Sequence, residues 1–243
     1  MTGNLEELSG IAAPARVAVR AWLGMVHEVA GNHALAVTVF GPAVGGPFDA
    51  ECDGVQSVLV LDRVDLGLLR RLAECGPRMG KLGVVAPLIM TPAYIRASLD
   101  TFPLEFIEIQ AQHVTPLGPD YFADLAFEDA DVRLQCEREL KSVLISMRQG
   151  LLAAAGRPQF IGPLSAQISQ RVLRTLRGLL WLRRTREALP AAAVLEAVET
   201  LTQRKLPGLR RGTLPATHEH PGWNDFDQLY RDIETLGELA DAW

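Results

Sequence analysis

The hydrophobic pattern of this chain changes period about halfway along, and that change limits the possible folds more than any single motif does. Up to about residue 125, short β-branched runs alternate with single helical segments. From about Glu128 onward only helical spacing is found. Ala34 to Phe40 and Val58 to Leu61 read as buried strands. Leu82 to Met90 reads as a third, demoted to an edge or irregular end by Pro87. Leu104 to Gln110, with His113-Val114 as a further segment, reads as the fourth. Between them residues 14 to 30, with Val17, Val19, Trp22, Leu23, Val26 and Val29, form an amphipathic helix that Gly31-Asn32 stops. Asp65 to Cys75 forms another, with Leu66, Leu69 and Leu72 on one face and Gly76-Pro77 as its end. Thr91-Pro92 starts a third, a capping hydroxyl followed by proline in the first turn. Strands separated by single helices give the α/β (α+β) class: a small mixed sheet with flanking helices, over residues 1–125.

Residues 126–243 read as an all-α bundle of four helices, Val132 to Ala155, Leu164 to Arg184, Ala191 to Arg204 and Phe226 to Ala240. Gly156-Arg157-Pro158, Pro190 and the stretch from Pro207 to Pro221 separate them.

A chain of 243 residues, 48% hydrophobic, has enough apolar surface for a substantial core. Its longest apolar runs, such as Leu82 to Met90, fall far short of the roughly 18 residues needed to span a bilayer, so no membrane role is expected. The acidic start, Asn4 to Glu7, does not resemble a secretion signal. Cys52, Cys75 and Cys136 form neither a metal-type C-x-x-C nor an even disulfide set, which points to ordinary thiols and a cytoplasmic setting. The net charge of −5 hides an asymmetry. Residues 1–131 hold 8 basic and 17 acidic side chains, whereas 157–211 hold 11 and 3. Such a basic stretch can dock on the acidic half or hold a polyanion.

One local arrangement carries chemistry. A strand ends in Val39-Phe40-Gly41, Pro42 follows, and the loop Asp53-Gly54-Val55-Gln56 feeds the next strand. Residues 34 to 62 resemble the core motif of the nucleotidyltransferase superfamily. Thr91-Pro92 and the run Ser98-Leu99-Asp100-x-Phe102-Pro103-Leu104-Glu105-Phe106 are similar to a bacterial group in which a helical domain follows the catalytic fold. The resemblance covers roughly residues 15 to 155. It implies a Gly-Ser pair at the first place and an Asp-x-Asp pair opening the second strand. Here those places hold Gly41-Pro42 and Gly54-x-Gln56.

Transfer of a nucleotide to a hydroxyl is an in-line displacement that relies on metal ions to neutralise the triphosphate. Mg²⁺ is bound through carboxylate oxygens, and residues i and i+2 on a strand point to the same side, so two aspartates so spaced share a metal pair. Glycine offers no ligand atom, and the glutamine amide is neutral. Pro42 lacks both the hydroxyl and the N–H that would hold a phosphate. The resemblance with these replacements implies a pseudoenzyme, a regulatory protein that holds a nucleotide or a protein partner near Gly41, Pro42, Gly54 and Gln56 and requires no cofactor. The alternative is an active transferase that uses Mg²⁺ through relocated carboxylates. Glu51 and Asp53 copy the i, i+2 spacing out of frame. Glu105 and Glu108 stand where the superfamily places its third carboxylate, and strand alternation allows only one, Glu108, to face the cleft.

A third reading makes the bundle an RNA-binding or oligomerisation module. Arg171, Arg174, Arg177, Arg183, Arg184 and Arg186 decorate a helix whose apolar side is Ile168, Val172, Leu176, Leu179 and Leu180. A solvated polar face is the plainer explanation, and Arg171, Arg174, Arg177 and Arg184 are the polyanion-binding candidates. Trp181 is the only aromatic there for base stacking. His218-Glu219-His220 lacks a third metal ligand and reads as a solvated loop. Arg211 and His218 have the spacing of a ribonuclease pair, but Gly212 and Pro215 oppose the helix such a pair needs.

Overall fold

The computed structural model describes residues 8–45, 48–50, 53–155, 157–213 and 222–240. The chain divides into two compact units: Met1–Leu99 with Glu108–Ala126, and Asp100–Ile107 with Phe127–Trp243. The second unit thus takes in residues 100–107, ahead of the 125/126 boundary read from the sequence.

In the first unit, helix α1 (Arg16–Ala30) is followed by strand β1 (Ala34–Phe40), then β2 (Gln56–Leu61) and helices α2 (Leu66–Glu74) and α3 (Gly76–Lys81). Strand β3 (Leu88–Met90), helices α4 (Pro92–Ala97) and α5 (Pro103–Ala111) and strand β4 (His113–Leu117) complete it, with α5 crossing from the second unit into the first. The strands form one mixed sheet, ordered β3-β2-β1-β4. The central strand β1 runs antiparallel to β2 and β4, and β2 runs parallel to β3.

Alternation along the strands sends Val37, Val39, Leu59 and Leu61 into one core with Val19, Trp22, Met25 and Val26 of α1 and Leu68, Leu72 and Met79 of α2 and α3. The opposite face carries Ala36, Thr38, Phe40, Val58 and Val60, which are also buried. A sheet buried on both faces explains why its strands read as nearly continuous apolar runs.

Several sequence expectations need correction. Val17 is exposed, because it sits about 200° around the helix from Val19. On α2, Asp65 caps the first turn by accepting from the Leu68 N–H, and the buried face is Leu68, Leu72 and Cys75, while Leu66 is 84% exposed. Helix α2 ends at Glu74, just before Gly76-Pro77 as expected, and the same pair opens the short α3, with proline in its first turn. Strand β3 shrinks to three residues just after Pro87, and Gly83, with φ +69°, turns the chain before it. The segment from Leu104 to Gln110 is helix rather than strand. Pro103 opens α5, and Gln135 Oε1 accepts the orphan Leu104 N–H at 2.8 Å. A short run that is apolar all round has no period to separate the two, and burial of Leu104, Phe106, Ile107 and Ile109 suits either. The fourth strand is β4, which begins at His113.

The second unit holds α6 (Asp129–Ala153), α7 (Ile161–Leu182), α8 (Ala191–Thr202), α9 (Pro207–Gly212) and α10 (Trp223–Ala240). Four of these are the expected helices. The short α9 lies in what the sequence presented as a separator, and two buried acids hold it. Asp232 of α10 accepts from Gly208 N–H at 2.7 Å and Leu209 N–H at 3.0 Å, while its other oxygen accepts from Gln228. Glu199 of α8 accepts from Leu206 N–H and pairs with Arg210 at 2.9 Å and Lys205 at 3.1 Å. A Cβ on Gly208 would lie 2.4 Å from the Leu229 backbone nitrogen, so only glycine lets α9 approach α10 this closely. In the core, burial and then Glu139 push the Cys136 thiol up to about 12, which makes it an inert packing group.

Burial is the largest influence on Asp232 and raises its pKa against the opposing hydrogen bonds from Gln228, Leu209 and Gly208. A raised carboxyl contributes stability fully below its unfolded value near 3.8, and loses it as pH rises through the folded value. Asp232→Asn keeps both backbone bonds and, with the Gln228 amide turned over, the third. We expect it to fold with near wild-type stability at pH 7 and to remove this pH dependence. Asp232→Ala leaves two buried N–H groups unpaired and should cost about 2–4 kcal/mol in urea unfolding. Equal losses for both variants would refute this account.

Candidate functional site at the end of strand β1

The site is built where β1 stops. Phe40 is extended, and Gly41 takes φ +73°, a left-handed conformation that glycine enters without strain. Gly41–Ala43 then forms one tight turn with Pro42 inside it, closed by the Val44 N–H donating to Gly41 O at 2.9 Å. Pro42 suits this turn because it has the right φ and no N–H to satisfy.

Pairing on both sides of β1 decides what surrounds this turn. Phe40 lies opposite Gln56 of β2 and opposite His113 of β4. Residues paired across antiparallel strands share a face, so Gln56 and His113 flank Phe40 on the same side of the sheet. One step further in, Thr38 and Thr115 share a hydroxyl hydrogen bond of 2.9 Å. The Gln56 amide lies over the turn: a Cβ on Gly41 would sit 3.1 Å from Gln56 Oε1.

Gly54 is a packing position. A Cβ there would lie 2.4 Å from Val85 Cγ2, and the neighbouring Val55 exchanges backbone bonds with Gly83 and Val85. Asp53 uses Oδ2 to accept the Asp49 N–H at 2.9 Å, which closes the loop on itself. Glu51 lies outside the described residues, as do Cys52 and His218-Glu219-His220. Glu108 is a residue of helix α5 and carries no strand alternation, so the reasoning that aimed it at the cleft fails. The strand beside β1 presents His113 and Thr115 instead. Among the described residues no three His, Cys, Asp or Glu side chains group as a metal-binding set.

His113 was not singled out by sequence, yet it organises this end of the sheet. Its Nδ1 faces the Gln110 carbonyl at 3.2 Å and its Nε2 faces Asp120 Oδ2 at 2.8 Å. Both partners only accept, so whichever ring nitrogen carries a proton has an acceptor to meet it. Asp120 also accepts from the Phe122 N–H at 2.8 Å and the Ala123 N–H at 3.2 Å. Gln110 Nε2 gathers the carbonyls of Phe122, Ala123 and Leu125, and the Phe122 ring meets His113 edge-on. Burial raises the Asp120 carboxyl, but the Phe122 N–H and His113 outweigh it and hold the group below its ordinary range. A histidine seven residues before an aspartate is the only sequence trace of this clamp.

The basic stripe faces acids of its own unit, but α7 ends at Leu182, so Arg183, Arg184 and Arg186 lie beyond the helix rather than on it as the sequence suggested. Arg171 pairs with Glu139 at 3.2 Å, Arg174 with Glu105 at 3.6 Å, and Arg184 grips Asp129 with both terminal nitrogens. Arg177 stands on α7. Trp181 is buried, with the Arg186 guanidinium 3.6 Å above its ring. Arg211 lies on α9 and pairs with Asp225. No helix among the described residues is long and apolar enough to cross a membrane.

No protein-family model matches the chain, and no curated protein matches it. Among solved structures, it is similar to spectinomycin adenyltransferase AAD(9) from Enterococcus faecialis, crystallised with ATP and spectinomycin. The TM-score is 0.61, at 10% identity, over 93% of this chain and 99% of that one. The chain therefore has a nucleotidyltransferase-like fold: a small mixed sheet with flanking helices, then a helical region.

Because Asp120 is held low, its contribution to stability is present above its unfolded pKa near 3.8 and lost as pH falls through the folded value. Asp120→Ala should therefore cost about 1–2 kcal/mol at neutral pH through the lost backbone bonds, and the difference from wild type should shrink in acid. Thermal melts between neutral pH and pH 3 would check this, and a pH-independent difference would contradict it.

Proposed function

We propose that this chain is a nucleotidyltransferase-fold protein without transfer chemistry, acting as a regulatory protein that holds a nucleotide or a protein partner at the end of β1. One observation supports this most: the first residue of β2 that faces the cleft is Gln56, a neutral amide lying over Gly41, where the resemblance calls for a metal-binding carboxylate. Its companion position, Gly54, packs against Val85. Asp53 spends an oxygen on the Asp49 N–H. A metal clamp supplies several kcal/mol of transition-state stabilisation, and each ~1.4 kcal/mol is tenfold in rate, so transfer without it would be slow.

The structural neighbour was crystallised with ATP, which supports a nucleotide as the ligand class of this reading. Gly41, Pro42, Gly54 and Gln56 are the residues assigned to it here. The rival is an active enzyme that recruits Mg²⁺ through Glu51 and Asp53. A polyanion site at Arg171, Arg174, Arg177 and Arg184 has less support, since Glu139, Glu105 and Asp129 already stand against three of these arginines.

Calorimetry with ATP, GTP, CTP and UTP, each with and without Mg²⁺, separates the readings. The proposal expects binding that is metal-independent or absent, and no pyrophosphate release. Where binding is found, Gln56→Ala should weaken it about tenfold, roughly one lost hydrogen bond. Metal-dependent binding that disappears in Glu51→Ala or Asp53→Ala would establish the rival. Salt-sensitive RNA binding lost on replacing Arg171 and Arg174 would establish the polyanion reading.

A further inference from the structure

The outer face of α6 carries a regular pattern that neither the core nor the candidate site uses. Leu134, Ile145 and Leu152 are 51%, 54% and 80% exposed and lie within about 20° of one another around the helix. Arg138, Lys141 and Arg148, also exposed, fill the places between them. The spacing along this line is four, three, four, three, four, the seam of a helix that packs along its length against another helix. Single exposed leucines are ordinary on a surface, but three in register over about 27 Å are not.

Beside it, α10 presents the complementary charge. Trp223 is exposed, and Asp227, Glu234 and Glu238 continue its line on the outer face, with Arg231 paired to Asp227 at 2.7 Å. The two helices are joined at this surface by Arg148 Nε donating to the Tyr230 hydroxyl at 2.8 Å. A cationic, aliphatic ridge thus stands next to a shorter one, about 22 Å long, that carries Trp223 and three acids, on one unit of one chain.

We propose that this α6/α10 face is a two-fold interface between two copies of the chain, each α6 lying on the α10 of the other. A two-fold operation brings one patch onto itself reversed, so a patch with opposite charges on its two halves is complementary to its own copy. Two helix faces about 22–27 Å long and 10 Å wide bury on the order of 500 Å² per copy, about 1,000 Å² in total, which is the area of a weak, reversible dimer. Lys141 also pairs with Glu137 on its own helix, and its side chain stays 56% exposed.

Sedimentation equilibrium on the full chain tests this. The expected result is a dimer, twice 26.5 kDa, weakened by high salt because its charges are exposed. Ile145→Glu should raise the dissociation constant at least about tenfold. Arg138→Glu with Lys141→Glu, and separately Glu234→Lys with Glu238→Lys, should each be monomeric alone. An equimolar mixture of these two variants should recover dimer, which an unfolded variant cannot do. A monomeric wild type, a dimer indifferent to all these changes, or folded variants that fail to recover on mixing would overturn the proposal. So would a monomer that uses this face to bind anionic vesicles or an acidic helical peptide.

Discussion

Strand β1 is paired on both sides, and the candidate site hangs from that pairing. Hydrogen bonds to β2 and β4 fix the strand's register, and the register sets Gln56 and His113 beside Phe40 on one face. A slip of one residue would turn Gln56 away from Gly41 and His113 away from the partner it needs in Asp120. Close packing on both faces of the sheet makes such a slip costly, since each side chain would have to fit a space shaped for its neighbour. The turn at Gly41 therefore presents its backbone to a surface whose chemistry is decided by the two strands beside it.

That surface combines retained geometry with altered charge. Pro42 keeps the turn tight while contributing no donor, and Gly54 keeps the loop close to Val85 while contributing no ligand. The loop's Asp53 and the β4-side Asp120 both have work to do in backbone capping, and the His113 ring stands against the second of them. On the function proposed above, a site so arranged holds its ligand by shape, amide and backbone contacts.

The helical unit follows a different rule, in which close approach and internal charge pairing do the joining. Gly208 lets α9 meet α10, and Gly178 lets α7 meet Leu104 and Cys136, where a Cβ would lie 2.2 Å from the leucine methyl. The acids that pair with the basic stripe include Glu105, against Arg174, and Asp129, against Arg184, both of which the linear charge count assigns to the acidic first half. Folding brings them into the arginines' own unit, so much of the asymmetry along the sequence is cancelled in space.

Periodicity by itself determined much of the architecture: β1, β2, α1 and the four long helices, because each buries a face wide enough to leave a repeat in the sequence. It also located the Gly41 turn and the loop before β2, through glycine and proline chemistry that is local to the backbone. What only tertiary structure decided were the elements without a repeat and the residues defined by a distant partner. Leu104 to Ala111 became helix because Gln135 receives its first free N–H, and Pro207 to Gly212 became helix because Asp232 and Glu199 hold its start. His113 and Asp120 acquired their roles from strand pairing and a turn seven residues on. Hydrogen bonds between residues far apart in sequence leave no period to read, so a site assembled from them becomes visible only once the chain has folded.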